Sequence, residues 1–96
     1  MITLDLFETI CRSYEFSYSD ARSYAMHTAR HDIGIYLTAS GSAYILVNEC
    51  RGSLVYSKAM IDNASALRLC IRQVLETFVG IGTGIASDND KNEVKL

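Results

Sequence analysis

Residues 35–56 read IYLTASGSAYILVNECRGSLVY, and this stretch decides the fold. It is rich in β-branched and aromatic residues, which suit the pleated surface of a strand. Two pairs, Gly41-Ser42 and Arg51-Gly52, have the composition of two-residue hairpin turns, in which glycine supplies the positive φ that other residues resist. The stretch therefore predicts a meander of three antiparallel strands.

Two-residue turns also predict the register, which places Val47 opposite Tyr36 on one side and opposite Tyr56 on the other. Because side chains alternate along a strand, each face of the sheet collects its own set. The first face, predicted to pack on helices, carries Ile35, Leu37, Ala39, Tyr44, Leu46 and Val55, with Asn48 and Ser57. The second face carries Tyr36, Thr38, Ile45, Val47, Leu54 and Tyr56, with Glu49 and Lys58 towards its ends.

Both faces are unusually apolar for an antiparallel sheet, which commonly has one solvated side. Either the chain's own helices cover both faces, or the second face is kept for a partner, where aromatic residues serve as anchors. On the latter interpretation the anchors are Tyr36, Val47 and Tyr56. The apolar area is extended by Ile45 and Leu54, and the charged rim consists of Glu49, Arg51 and Lys58.

Two helices are predicted before the meander. Residues 4–15 carry apolar side chains at spacings of three and four, and Thr3 can cap them. Residues 18–32 carry a stripe of small residues behind a capping-box-like start at Ser17, and Gly34 can provide the left-handed exit.

A third helix is predicted after the meander, capped by Asp62 or Asn63. Its apolar seam consists of Leu67, Ile71, Val74 and Phe78, while Leu69 faces away from that seam. The resulting fold class is α+β, with a three-stranded antiparallel meander, three helices and the order ααβββα. Residues 1–84 are expected to form a single domain, and residues 85–96 a flexible polar C-terminal tail.

Composition narrows the function classes. The chain has 96 residues, 49% of them hydrophobic and 21% charged, and a net charge of −2, which argues against a partner held by phosphate neutralisation. It contains no apolar stretch of the length that a membrane span needs, so we expect a cytoplasmic protein without membrane contact. Cys11, Cys50 and Cys70 are widely spaced and contain no C-x-x-C pair, which indicates small buried hydrophobes or free thiols.

Motifs that carry chemistry are weak. His27 and His31 have the i, i+4 spacing at which two helical imidazoles can share a metal, but a third ligand would have to come from Cys11, Cys50, Cys70 or a carboxylate elsewhere in the chain. Residues 80–84 read GIGTG, yet they follow a helix rather than a strand, which is the wrong context for a phosphate loop. We therefore expect no cofactor, no bound metal and no catalysis.

The sequence thus predicts a non-catalytic protein-binding module, acting through its apolar and aromatic sheet face on a second copy of itself, on a foreign protein, or on both. A small acidic domain without an active site is also what an occluding inhibitor looks like, including those with which mobile elements such as phages block host machinery. Two alternatives stay open: a nucleic-acid-associated regulator, with Arg51 and Lys58 meeting phosphates, and a small metal-dependent enzyme.

Overall fold

The computed structural model describes residues 1–80, and it confirms the α+β class. The predicted count and order of elements are wrong, because the sheet has five strands, two of them within the segment predicted to be the second helix. In chain order the elements are α1 (Leu4–Ser13), β1 (Ser17–Asp20), β2 (Ser23–His27), β3 (His31–Leu37), β4 (Ala43–Glu49), β5 (Leu54–Ile61) and α2 (Ala64–Val74), which continues into a π-helical turn (Leu75–Val79).

The five strands follow one another in space as they do in sequence, and every neighbouring pair is antiparallel. Both helices pack on one side of this meander. The ring of Phe7 in α1 packs edge-on against that of Tyr24, with the two ring centroids 5.9 Å apart. The ring centroid of Phe78, beyond α2, lies 5.8 Å from that of Tyr56. We call this side of the sheet the core face and the opposite side the open face.

The core face is apolar along each of its three central strands. Alternate positions of β3 and β4 are buried against the helices, together with one position of β2, as expected for a sheet with one covered side. These side chains are Tyr24, Ile33, Ile35, Leu37, Ala43, Ile45 and Val47.

The two predicted flanking helices are confirmed, together with their caps. The hydroxyl of Thr3 accepts a hydrogen bond from the Leu6 amide at 3.2 Å, and the side chain of Asn63 accepts one from the Ala66 amide at 2.8 Å. Each satisfies an amide that has no partner within its helix. Leu69 is 49% exposed, as its position away from the seam predicts.

Both central hairpins turn through three residues rather than the predicted two. The amide of Thr38 donates to the carbonyl of Ser42, and the amide of Glu49 donates to the carbonyl of Ser53, both at 2.8 Å. Gly41 (φ 89°) and Gly52 (φ 96°) each occupy the last loop position. A turn that ends in a left-handed glycine is a common three-residue hairpin connection.

The first loop consists of residues 39–41 instead of the predicted 41–42, and this changes the register between β3 and β4. Tyr36 pairs with Tyr44 instead of Val47, a shift of three positions, and an odd shift exchanges the faces of one strand relative to the other. The predicted composition of the two faces is therefore wrong: Ile35 shares the core face with Ile45, not with Leu46.

The second hairpin keeps the predicted pairing of Val47 with Tyr56. Asn48 pairs with Leu54, so Val55 is an extra residue in β5. This bulge shifts the register by one position and so compensates for the shift that the three-residue loop causes.

Residues 18–32 form β1, β2 and the start of β3 instead of a helix. The carboxylate of Asp20 accepts a hydrogen bond from the Arg22 amide at 3.0 Å and closes the turn between β1 and β2. Gly34 lies in the middle of β3 and ends no helix. Every residue of β2 pairs with a residue of β3, and this pairing buries Tyr24 in the core. The nonlocal pairing therefore outweighs the local helical pattern.

Part of the domain prediction lies outside the described residues. This applies to most of the glycine-containing stretch at 80–84, to the end of the domain at residue 84 and to the tail at 85–96. Within residues 1–80, no helix combines the length and the apolar character that crossing a membrane requires.

Candidate functional site

The open face carries the side chains of the central strands that point away from both helices. The pairing of β2 to β5 determines its members, because residues paired across an antiparallel ladder share a face. They are Ser23, Ala25, His27, Asp32, Gly34, Tyr36, Tyr44, Leu46, Asn48, Leu54 and Ser57.

Two stacked tyrosines occupy the centre of the open face. The rings of Tyr36 and Tyr44 lie nearly parallel, with centroids 4.8 Å apart and an interplanar angle of 16°. The ring of Tyr36 also crosses Gly34, where an added Cβ would lie 2.5 Å from the tyrosine oxygen. Leu46 pairs with Gly34 from the next strand and extends this apolar centre. The missing side chain at Gly34 therefore gives Tyr36 its place on the sheet.

A polar pair borders the apolar centre. His27 and Asp32 are directly paired between β2 and β3, and Nδ1 of the imidazole lies 2.8 Å from a carboxylate oxygen. Both side chains are well exposed, so a partner covering the apolar centre would meet this pair at the rim.

The apolar surface continues onto the edge strand β5. Leu54 is 57% exposed, Val55 42% and Met60 82%. The ladder between β4 and β5 is interrupted at Val55 and again near Met60, which has a positive φ of 60°. Such bulges blunt a sheet edge against pairing with another strand, so β5 offers apolar side chains rather than a free backbone ladder.

The structure separates the residues that the sequence predicts for a protein interface. Tyr36 and Leu54 lie on the open face, whereas Ile45 and Val47 are fully buried in the core. Tyr56 is half-buried on the core face beside Phe78. The charged residues Glu49, Arg51 and Lys58 are exposed, the first two at the turn between β4 and β5 and the last on β5.

Sequence reasoning missed Tyr44 and Leu46 as open-face residues, because it assigned both to the covered face. The strict alternation of Ile33, Ile35 and Leu37 in β3 with smaller or aromatic residues is the pattern that could have found them. Once these three residues are matched with Ala43, Ile45 and Val47, the tyrosines must share the other face.

The two histidines do not form the helical pair that a shared metal would need. His27 lies on the open face, and His31 lies on the other side of the sheet, with its ring 5.2 Å from that of Phe78. Among residues 1–80, no group of three histidine, cysteine, aspartate or glutamate side chains is arranged to hold a metal ion.

The cysteines differ in their surroundings. Cys11 lies on the buried face of α1, and burial raises the pKa of its thiol to about 12, so it stays protonated and unreactive at neutral pH. Cys70 is also buried, and its sulfur lies 3.7 Å from the hydroxyl of Tyr56. Cys50 alone among the three is exposed.

No protein-family model, curated protein or solved structure matches this chain. The open face, with the stacked pair of Tyr36 and Tyr44 at its centre, is therefore the feature from which a function has to be inferred.

Proposed function

We propose that this chain is a small non-catalytic protein-binding module that contacts its partner through the open face. The observation that carries the proposal is the placement of α1 and α2 on the same side of the sheet. Within residues 1–80 no helix covers the other side, which carries two stacked tyrosines, Leu46 and Leu54. Contiguous apolar surface on a small domain marks an interaction site, and tyrosine is enriched among interface anchors.

The size of the open face limits how the partner is seated. Five strands about 4.8 Å apart span roughly 20 Å, and seven residues at about 3.3 Å extend roughly 23 Å along the strands. The flat area is then about 450 Å², below the roughly 800 Å² that each partner buries in a standard interface. A stable contact therefore continues across the edge strand, where Leu54 and Val55 are exposed.

The nature of the anchors predicts how binding depends on salt. Apolar and aromatic burial is not screened by ions, whereas salt weakens attraction between exposed charges and largely screens charges more than a Debye length apart, about 8 Å at physiological salt. With His27 and Asp32 only at the rim, we expect affinity to change little between low and physiological salt. A protein that binds in this way acts by covering its partner's surface, which is how an occluding inhibitor works.

The test is the solution mass of the chain by light scattering after size exclusion. The variants are Tyr36→Glu and Leu46→Glu on the open face, with Leu69→Glu as the control, because Leu69 is an exposed leucine on α2. Circular dichroism checks that each variant is folded. A dimer that both open-face variants convert to a folded monomer, and that Leu69→Glu leaves intact, identifies a second copy as the partner.

If the wild type is a monomer, the same variants are used as bait for a foreign protein. The proposal then requires a captured protein whose binding is lost with Tyr36→Glu and Leu46→Glu and is kept with Leu69→Glu. A dimer or a captured partner that depends on Leu69 and tolerates both open-face charges would contradict it.

A further inference from the structure

Two turns meet at one end of the sheet, away from the centre of the open face. The turn between β2 and β3 contains Arg30, and the turn between β4 and β5 contains Cys50 and Arg51. The amide of Cys50 donates to the carbonyl of Arg30 at 3.0 Å. The thiol of Cys50 points back at the first turn, with its sulfur 3.7 Å from the carbonyl of Thr28. These contacts hold the two turns in a fixed relation.

A cavity of about 460 Å³ lies between the turns. Its lining consists of Ala29, Arg30, His31, Glu49, Cys50 and Arg51. Each turn thus contributes one arginine, and neither arginine forms an ion pair within residues 1–80. The ring of His31 packs edge-on against that of Phe78. Among residues 1–80, Nδ1 of His31 is buried and has no hydrogen-bond partner.

The charge of this cavity is opposite to that of the whole chain. Two arginines and one glutamate line it, which gives a formal +1 with neutral histidine, whereas the chain carries −2. Guanidinium groups present planar, paired donors that match the oxygens of a phosphate, and they keep their charge at any physiological pH. The thiol of Cys50 donates hydrogen bonds to the carbonyl oxygens of Thr28 and Ala29, at 3.7 Å and 3.5 Å, and so points at the first turn. The arrangement suits anion binding.

We propose that this cavity binds a phosphate group through Arg30 and Arg51, carried either by a small phosphate ester or by a nucleic-acid backbone. The site is distinct from the protein contact on the open face and does not depend on it. The contacts of Cys50 fix the backbone of the two turns, so the spacing between the Cα atoms of the two arginines is set before the ligand arrives, which lowers the entropic cost of binding.

The experiment is an amide-proton and nitrogen correlation NMR titration of the full chain with inorganic phosphate, at constant ionic strength against chloride. We expect saturable shifts confined to the amides of Arg30, His31, Cys50 and Arg51. Arg30→Gln and Arg51→Gln should each weaken phosphate binding at least tenfold, and Glu49→Gln should strengthen it. Unchanged spectra elsewhere show that the variants are folded.

Arg22→Gln is the matched control, because it removes the same charge near the opposite end of the sheet, where Arg22 contacts the carbonyl of Thr38 at 3.3 Å. It should leave phosphate binding unchanged. Shifts that never saturate, or that Arg22→Gln reduces as much as Arg51→Gln, indicate general charge screening and overturn the proposal.

Two further titrations separate the sources of the phosphate. A nucleoside monophosphate that binds as well as a single-stranded oligonucleotide, per phosphate and at all salt concentrations, identifies a small ester. An oligonucleotide that binds far more tightly, with an affinity that falls steeply as salt rises, identifies the nucleic-acid backbone. If neither competes with inorganic phosphate at the Arg30 and Arg51 amides, the proposal fails for both.

Discussion

The hydroxyl of Tyr24 is one of two buried side-chain polar groups without a hydrogen-bond partner among residues 1–80. The aromatic ring makes edge-on contacts of 5.9 Å with both Phe7 and Tyr18, and the guanidinium carbon of Arg12 lies 5.4 Å from its centroid. The side chain is fully buried, yet its oxygen has no hydrogen-bond partner among the described residues. Burial of the Tyr24 ring therefore stabilises the fold, whereas burial of its unpaired hydroxyl costs free energy.

Tyr24→Phe is expected to raise the free energy of unfolding by about 1 kcal/mol, because it removes an unsatisfied buried hydroxyl and keeps the ring. Tyr14→Phe is the control, since the hydroxyl of Tyr14 accepts a hydrogen bond from Arg72 at 3.3 Å. That substitution should lower the free energy by about 1 kcal/mol. Urea denaturation of both variants measures the difference. A loss of stability in Tyr24→Phe equal to that in Tyr14→Phe would show that the Tyr24 hydroxyl has a partner.

Because of Cys11, the free energy of unfolding is expected to depend on pH in the alkaline range. Burial raises its pKa from 9.0 to about 12, so between these values the unfolded chain loses the thiol proton while the folded chain keeps it. The folded state then binds more protons, and stability falls as pH rises, by at most about 1.4 kcal/mol per pH unit from this group.

The check is urea denaturation from pH 8 to pH 11 on the wild type and on Cys11→Ala. The variant starts from a lower stability, because it leaves a small cavity, but its stability should fall less steeply above pH 9. Parallel curves for the two proteins would mean that Cys11 takes no part in the alkaline loss, leaving it to groups such as Tyr56, whose pKa burial also raises.

At the scale of elements, the two flanking helices could be predicted, whereas the register of the first hairpin could not. The caps at Thr3 and Asn63 and the seam of the last helix depend on residues close together in sequence. The register depends on loop length, and Gly41 and Gly52 fit a two-residue turn as well as the last position of a three-residue one. One residue of uncertainty in a loop is enough to exchange the faces of a strand.

Residues 18–32 show a second limit of local patterns. Their small residues and the polar start at Ser17 are compatible with a helix, but β2 pairs with β3 along its whole length, which the segment alone does not encode. Tyr24 is buried on the core face, whereas its neighbours Ser23 and Ala25 lie on the open face. Nonlocal pairing therefore decides the conformation here.

Gly34→Ala is expected to move the ring of Tyr36 without unfolding the chain. An added Cβ would lie 2.5 Å from the tyrosine oxygen and 2.8 Å from the adjacent ring carbons, and this end of the side chain is free to rotate away. Alanine also favours the extended strand over glycine by roughly 0.5–1 kcal/mol, which offsets part of the disturbance. Near-ultraviolet circular dichroism should show loss of the stacked contact between Tyr36 and Tyr44, while far-ultraviolet spectra stay unchanged.

Tyr44→Phe is the matched control for this measurement, because it keeps an aromatic ring in the stack and leaves Gly34 free. An unchanged tyrosine spectrum in Gly34→Ala would mean that Tyr36 does not lie across the glycine in solution.

At the scale of the whole molecule, α1 and α2 cover one side of the sheet within residues 1–80, and the contact surface that we propose lies on the other side. The sequence predicted that one sheet face would be kept for a partner, and it named Tyr36 and Leu54, both of which lie on the open face. It also named Ile45 and Val47, which are core residues. The composition of the strands predicts that the two sides of the sheet have different roles. Which residues lie on each side can be assigned only when the register is known.

This division predicts that substitutions at two neighbouring residues of β4 affect different properties, one mainly stability and the other mainly association. Ile45 is fully buried on the core face, and Leu46 is half-buried on the open face. Ile45→Ala should lower the free energy of unfolding by about 2–5 kcal/mol, a large part of the roughly 5–15 kcal/mol that a domain possesses. Leu46→Ala should cost less than about 1.5 kcal/mol, because fewer contacts are lost and no enclosed cavity forms.

Urea denaturation measures the stability of both variants, and light scattering, or capture of a foreign partner, measures binding. Leu46→Ala should weaken association while the chain stays folded. Ile45→Ala should affect association only to the extent that it unfolds the chain. The reverse pattern, with Leu46→Ala the more destabilising and Ile45→Ala the more damaging to binding, would place the contact surface on the other side of the sheet. Equal effects of the two substitutions on stability would mean that the open face is covered in solution, since only a covered leucine loses as much on truncation as a core isoleucine.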